Sequence, residues 1–175
     1  MMEQKITTPI TKGIIISLVM IAVTLTTTFM SSNYGGSLQW LGYIVFFVGI
    51  ILSITQYGKQ IDYQSTFGNY FAHGFKIAAI VTIVMIIYVI VFMAMFPEFK
   101  EKALEEARKG MAKRDMSSDQ MDKAVEMTKK FFMVFAIGGT LVAYLFFGAI
   151  AALIGAAVTK KNPNTFQQDI NQING

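Results

Sequence analysis

Two tyrosines could do chemistry inside the long apolar stretches of this chain. Tyr88 and Tyr144 each lie near the centre of a stretch that contains no Asp, Glu, Lys, Arg or His. If these stretches are antiparallel neighbours in a bilayer, both hydroxyls lie near its midplane and could form a polar site between helices. The alternative is that each hydroxyl bonds a backbone carbonyl or a nearby Thr, as buried tyrosines normally do. We favour the alternative, because no charged group accompanies the pair.

The titratable residues outside the apolar stretches do not predict a catalytic or metal site. The chain has one histidine, His73, and no cysteine, which excludes thiolate metal sites and a cysteine nucleophile. Asp62 and His73 are eleven positions apart within residues 58–76, which read as an interfacial lead-in to the third apolar stretch. Phosphate-binding loops, hydrolase elbows and HExxH zinc motifs do not occur. We predict no catalytic residue, no cofactor and no metal ion, and a protein that is not an enzyme.

Four uncharged stretches are each long enough to cross a membrane. At about 1.5 Å rise per residue, roughly 20 apolar residues span a hydrocarbon core of ~30 Å. A chain of 175 residues is too short to bury four such helices in a soluble core. The first stretch is long for a cleaved signal peptide and lacks a small-x-small cleavage pattern. The sequence predicts an all-α integral membrane protein in a single membrane domain (1–175), with transmembrane helices at residues 13–30, 38–57, 77–96 and 131–158.

The connection between the third and fourth spans, residues 97–130, is the one sizeable polar region. It contains nine Lys/Arg and eight Asp/Glu residues. Ser117 and Gln120 match a capping box with Ser117 as the N-cap, and an apolar stripe at helical spacing lies on either side of it. We therefore predict a charged extramembrane helical hairpin whose stripes pack on each other or on a partner. The tail at residues 162–175 is expected to be flexible.

Small residues recur along the spans at spacings typical of helix packing in lipid. Helices in a bilayer associate through small side chains and sparse hydrogen bonds, because the hydrophobic effect does not separate protein from lipid there. The pattern supports a compact four-helix bundle or a dimer seam without choosing between them. The helix-packing candidates are Gly42, Gly49, Gly74, Ala78, Gly148, Ala152 and Gly155.

Three short segments resemble a known family. Residues 67–75 read FGNYFAHGF and lead into the Ile-rich third span, which closes on FPEF at residues 96–99. The fourth span closes on GAIAALIGAAVTKK at residues 148–161. With these segments the chain resembles a domain-of-unknown-function family of small four-span membrane proteins typical of Bacteroidetes. The resemblance implies the cytoplasmic (inner) membrane of a Gram-negative cell, and it implies no activity, cofactor or catalytic residue.

The distribution of basic residues predicts which side of the membrane holds the termini. Four spans put both termini on one side, and short lysine-bearing segments favour the cytoplasm, whereas the turn at residues 31–37 carries no charge. The hairpin holds more bases than those segments, which favours the opposite orientation, but acidic residues along its helices offset most of them. We predict that both termini are cytoplasmic. The basic residues outside the hairpin are Lys5, Lys12, Lys59, Lys76, Lys160 and Lys161.

The hairpin is the basis of the leading functional hypothesis. We expect a non-enzymatic, multi-pass membrane protein that acts through interactions, because polar chemistry and amphipathic stripes are concentrated at residues 97–130. Its partners are the lipid bilayer and a protein partner or a second copy of the chain, bound through the hairpin or the small-residue faces. The alternative is a small transporter or channel subunit with an uncharged path lined by Thr, Tyr and Gln, and a membrane enzyme ranks third. Nucleic acid is not an expected partner, because no Lys/Arg run exceeds two residues.

Overall fold

The computed structural model describes residues 6–30, 40–112 and 117–161. Within these ranges the chain forms helices and no strands, and four of the helices are long and apolar enough to cross a membrane. The predicted fold class, an all-α membrane protein with four transmembrane helices and a helical hairpin between the third and fourth, is confirmed. The turn at 31–37 and the tail at 162–175 lie outside the described residues. The helices are α1 (Pro9–Met30), α2 (Trp40–Gln60), α3 (Phe67–Met95), α4 (Glu98–Ala112), α5 (Ser118–Lys130) and α6 (Phe132–Val158).

The helix α3 begins ten residues before the predicted third span. Thr66 precedes it, and its hydroxyl accepts a hydrogen bond from the Asn69 backbone N–H at 3.4 Å, so Thr66 acts as the N-cap. The lead-in predicted at residues 67–76 is therefore the first part of α3, and His73 lies on this helix rather than in a loop. Phe67, Phe71 and Phe75 recur every four residues, which is the spacing of one face of α3.

The turn between α2 and α3 is tight and conformationally unusual. Asp62 and Tyr63 adopt positive φ angles of 52° and 60°, a left-handed conformation that is rare for a residue as bulky as tyrosine. The Tyr63 backbone N–H donates to the Gly58 carbonyl at 2.8 Å, which closes the end of α2. These contacts hold the turn in a conformation that costs about 1–3 kcal/mol for each such residue.

The chain divides into two compact units, and the prediction of one membrane domain over residues 1–175 stays a prediction. Unit 1 contains α1, α2, α3 up to Val84 and α6 from Ala143. Its buried core includes Met20, Phe46, Ile50, Ile54, Ile77 and Val81. Unit 2 runs from Met85 to Val142 and contains the rest of α3 and α6 together with α4 and α5.

One end of unit 1 collects all of its described basic residues. Thr7, before α1, donates from its backbone N–H and hydroxyl to Gln60 Oε1 at 3.1 and 3.0 Å, so the start of α1 meets the end of α2. The Lys161 ammonium lies 5.6 Å from the centre of the Phe67 ring, so the end of α6 meets the start of α3. The lysine end, as we call it, carries Lys12, Lys59, Lys76, Lys160 and Lys161.

Unit 2 contains a two-helix hairpin formed by α4 and α5. Ser117 caps α5, because its hydroxyl accepts from the Gln120 backbone N–H at 3.4 Å while its own N–H donates to Gln120 Oε1 at 3.3 Å. The two arms pack against each other, with Leu104 buried and Met121 and Val125 half-buried. The apolar stripes were predicted to pack on each other or on a partner, and the structure shows that the two arms pack on each other.

Candidate functional site

The predicted helix-packing residues lie at close approaches within unit 1. A Cβ atom added at Gly148 would collide with the Ala78 Cβ, and one added at Gly74 would collide with Ile54 and lie 3.0 Å from the Ala152 Cβ. The same atom at Gly155 would lie 2.5 Å from Ile54 Cδ1. The backbones of α2, α3 and α6 therefore approach one another at positions where a side chain would not fit.

The two remaining packing candidates, both on α2, meet α1 more loosely. A Cβ atom at Gly49 would lie 3.0 Å from Ile16, and one at Gly42 would lie 3.5 Å from the Thr24 hydroxyl oxygen. The first distance requires a small adjustment of Ile16, and the second is ordinary van der Waals contact. The tight approach of α1 is to α3 instead, because a Cβ atom added at Gly13 would lie 2.6 Å from the Ile80 side chain.

Three aromatic side chains form a buried polar cluster between α2 and α3. The His73 ring stacks on Tyr57 with centroids 3.9 Å apart and an interplanar angle of 11°, and Tyr70 meets Tyr57 edge-on at 6.1 Å. Tyr70 is completely buried and His73 is 8% exposed. We refer to Tyr57, Tyr70 and His73 as the His73 cluster.

Two atoms of the His73 cluster are buried and have no hydrogen-bond partner among the described residues, namely Tyr70 Oη and His73 Nε2. An unpaired buried polar group costs about 1–3 kcal/mol. Four other buried hydroxyls of unit 1 are satisfied, because each donates at 2.7 Å to the backbone carbonyl four residues earlier. Those hydroxyls belong to Ser17, Ser53, Thr82 and Thr159.

The surroundings of the His73 cluster are electropositive. Lys76 and Lys12 lie close enough to His73 to act on it electrostatically, and the Lys12 ammonium donates a short hydrogen bond to Gln56 Oε1, next to Tyr57 in sequence. Asp62 is the one carboxylate among the residues of unit 1 that the structure describes, and it is exposed. This arrangement combines two unpaired polar atoms with an excess of positive charge, which is how proteins hold anions.

The hairpin of unit 2 presents a different, charged surface. Arg108 on α4 pairs with Asp122 on α5 at 3.4 Å, and Lys109 pairs with Glu105 and Glu106 at 3.1 and 3.0 Å. The hydrogen bonds to Glu106 and Glu105 raise the pKa of Lys109 above its usual value. Since these groups are more than half exposed, they define a solvated surface and contribute little to stability.

Residues 11–161 match the model of a family described as "Protein of unknown function (DUF4199)". The chain belongs to this family. The description names neither a number of spans nor a group of bacteria, so the four spans rest on the helices described above. No curated protein and no solved structure matches the chain.

In this member of DUF4199, the two predicted midplane tyrosines lie in different units. Tyr144, in unit 1, stacks on Tyr43 at 5.6 Å and meets Phe46 edge-on at 5.1 Å, which places it beside the first turns of α2. Tyr88, in unit 2, contacts Phe92 with ring centroids 5.5 Å apart. These contacts test neither a shared polar site at the bilayer midplane nor the favoured alternative, in which each hydroxyl bonds a backbone carbonyl or a threonine.

His73 is the residue that sequence reasoning undervalued. Its spacing from Tyr70 was a usable signal, because residues three apart share one face of a helix. The contact with Tyr57 had no such signal, since it depends on how α2 and α3 align. Within the described ranges, no three His, Asp or Glu side chains converge to hold a metal ion.

Proposed function

We propose that this DUF4199 protein is a multi-pass protein of the inner membrane of a Gram-negative cell that binds another protein through the α4–α5 hairpin and catalyses no reaction. The observation that carries the proposal is the exposed charge of a hairpin whose two arms already pack on each other. Because the apolar stripes are turned inward, the surface left for a partner is charged and nearly balanced in sign. Such a surface suits a polar, salt-sensitive interface with a soluble protein or domain.

Charge at the lysine end supports a cytoplasmic location for both termini. The start of α1, the α2–α3 turn and the end of α6 carry five described lysines, whereas no charged residue lies between Gly13 and Met30 or between Trp40 and Tyr57. Counted over these short segments, the positive-inside rule favours a cytoplasmic lysine end. The chain crosses the membrane three times, as α1, α2 and α3, before it reaches the hairpin. The hairpin then faces the periplasm, where a soluble partner would reach it.

Cysteine labelling tests this orientation cleanly, because the chain has no native cysteine. Gln64 in the α2–α3 turn and Glu101 on α4 are both exposed. In intact cells, Glu101→Cys should react with a membrane-impermeant maleimide and Gln64→Cys should not. The reverse labelling would place the hairpin in the cytoplasm and would move the search for its partner there.

Site-specific photocrosslinking in native membranes tests the interaction itself. A photoreactive residue placed at Glu101 or at Lys123, both exposed on the hairpin, should yield a defined crosslinked species that disappears at high salt. The same group at Gln64 is the matched control and should not yield it. A species of twice the chain mass would identify a second copy as the partner, and no species from either hairpin position would contradict the proposal.

A small transporter or channel subunit is the second candidate, favoured by the buried polar side chains of unit 1. Its path would run along Thr, Tyr and Gln side chains. The buried serine and threonine hydroxyls speak against it, because they already donate to the backbone carbonyls four residues earlier and offer little to a permeating species. If the reconstituted protein shows selective flux and Tyr88→Phe or Tyr144→Phe abolishes it, the transporter or channel would rank above the interaction protein. A membrane enzyme ranks third.

A further inference from the structure

The His73 cluster has the features of an incomplete binding site. Tyr70 Oη and His73 Nε2 lie three residues apart on α3, on one face of the helix, and both are buried without a partner among the described residues. A buried polar atom without a partner is costly, because it has lost its hydrogen bonds to bulk water and gained none in the protein. A group that reaches both atoms would remove this cost.

The hydrogen-bonding chemistry of Tyr70 Oη and His73 Nε2 restricts which ligand could bind both atoms. A tyrosine hydroxyl donates one proton, and a histidine Nε2 that carries a proton also donates. With the His73 proton on Nε2, the oxygens of one oxyanion would satisfy both donors, and the nearby Lys12 and Lys76 would balance its charge. A cation has no corresponding partner here, since Asp62 is the one described carboxylate of unit 1 and lies exposed in the turn.

We propose that Tyr70 Oη and His73 Nε2 form the inner end of a site for a phosphate-type oxyanion, with Lys12 and Lys76 at its outer end. The phosphate group belongs either to an anionic lipid headgroup or to free phosphate. The site is independent of the hairpin and of the partner proposed for it.

The α2–α3 turn is the segment that opens this site. Tyr63 lies close enough to Tyr70 to act on it electrostatically, and it is held at a φ of 60°. Backbone positions strained in this way cluster at ligand clamps and switch regions. Movement of this turn gives the oxyanion access to atoms that are otherwise buried.

The single histidine makes the proposal directly measurable. We would label histidine with 15N, place the full chain in phosphatidylcholine nanodiscs, and record the His73 ring nitrogen resonances while adding inorganic phosphate. A second arm replaces part of the phosphatidylcholine by phosphatidylglycerol without added phosphate. A saturable shift of the Nε2 resonance in the first arm identifies free phosphate as the ligand, and a shift in the second arm alone identifies the lipid headgroup.

Two variants separate direct binding from a general effect of anions. Tyr70→Phe removes only the hydroxyl and should weaken the apparent phosphate affinity about tenfold or more, since a hydrogen bond to a charged group is lost. Tyr43→Phe removes a hydroxyl at the opposite end of α2 and should leave the affinity unchanged. Equal affinities in both variants would overturn the assignment of Tyr70. If the wild-type Nε2 resonance shifts in neither arm, a bridging water alone satisfies the pair and the proposal is wrong.

Discussion

The two units distribute their polar groups in opposite ways. Unit 1 buries Tyr70 and His73 and exposes aliphatic side chains such as Leu18 and Leu52, whereas the hairpin of unit 2 buries Leu104 and exposes charged side chains such as Lys109. The difference reflects the solvent, because lipid cannot satisfy a polar atom and water satisfies it readily. A buried polar atom in unit 1 therefore needs a partner within the protein or a ligand, whereas the exposed charges of the hairpin are already solvated and remain accessible to a protein partner.

The largest expected effect tests how tightly unit 1 is packed. Gly148→Ala should destabilise the chain by about 1–3 kcal/mol, because its Cβ would collide with Ala78 and lie 3.2 Å from Phe46. The matched control is Gly138→Ala on the same helix, where an added Cβ meets nothing within 4 Å, and it should stabilise by about 0.5–1 kcal/mol. Unfolding midpoints in detergent measure both. Equal midpoints for the two variants would mean that the helices of unit 1 separate at little cost.

The next effect concerns the unpaired hydroxyl of unit 1. Without added oxyanion, Tyr70→Phe should raise the free energy of unfolding by about 1 kcal/mol or more, because it removes a buried hydroxyl that has no partner. Thr82→Val is the contrasting variant and should lower it by about 0.5–1.5 kcal/mol, since the Thr82 hydroxyl donates to Ala78 at 2.7 Å. If Tyr70→Phe instead destabilises the chain, the hydroxyl already has a partner and the contrast between the units weakens.

In unit 2, the largest single polar contribution to the hairpin should come from the cap of α5. Ser117→Ala removes the hydroxyl that accepts from Gln120 and should cost about 1 kcal/mol of local helix stability. Faster amide exchange across residues 119–130 would report this loss, while membrane insertion stays intact. Ser117→Thr keeps the hydroxyl and should exchange like the wild type. Unchanged exchange in Ser117→Ala would show that the tertiary packing of the two arms, rather than the cap, holds α5.

The smallest effect is expected for the ion pair between the hairpin arms. Arg108 and Asp122 have side chains that are 60% and 72% exposed, and exposed pairs contribute about 0–1 kcal/mol. A double-mutant cycle with Arg108→Gln and Asp122→Asn, read by amide exchange in α4 and α5, measures the coupling energy. A coupling energy above about 2 kcal/mol would mean that charge stabilises the hairpin far more than its exposure allows.

Features with a local cause could be predicted from the sequence. The four spans follow from runs without charge, and the cap of α5 follows from Ser117 and Gln120 at the right spacing. The ion pair of Glu105 with Lys109 also follows the i,i+4 rule. Glu98 and Lys102 have the same spacing but form no ion pair among the described residues, and the Lys102 ammonium lies 5.0 Å from the centre of the Phe99 ring.

Features that depend on how helices align could not be predicted. The stacking of His73 on Tyr57 requires the relative position of α2 and α3, and no periodicity within one helix encodes that alignment. The same holds for Tyr144, whose contact with Tyr43 depends on where α6 lies along α2. The start of α3, by contrast, has a local cause, because Thr66 is an N-cap residue and Phe67, Phe71 and Phe75 share one helical face.

The hydrogen bonds from buried serine and threonine hydroxyls to backbone carbonyls have a consequence for the insertion of the helices into the membrane. Ser17, Ser53, Thr82 and Thr159 each donate to the backbone carbonyl four residues earlier. A newly synthesised helix of this kind can leave the insertion machinery and enter lipid before it has met its neighbours, because its hydroxyls need nothing from them. Within the described residues, α3 differs, since Tyr70 and His73 have no such bond. Its first turns are the part of the chain whose entry into the bilayer gains most from assembly with a companion.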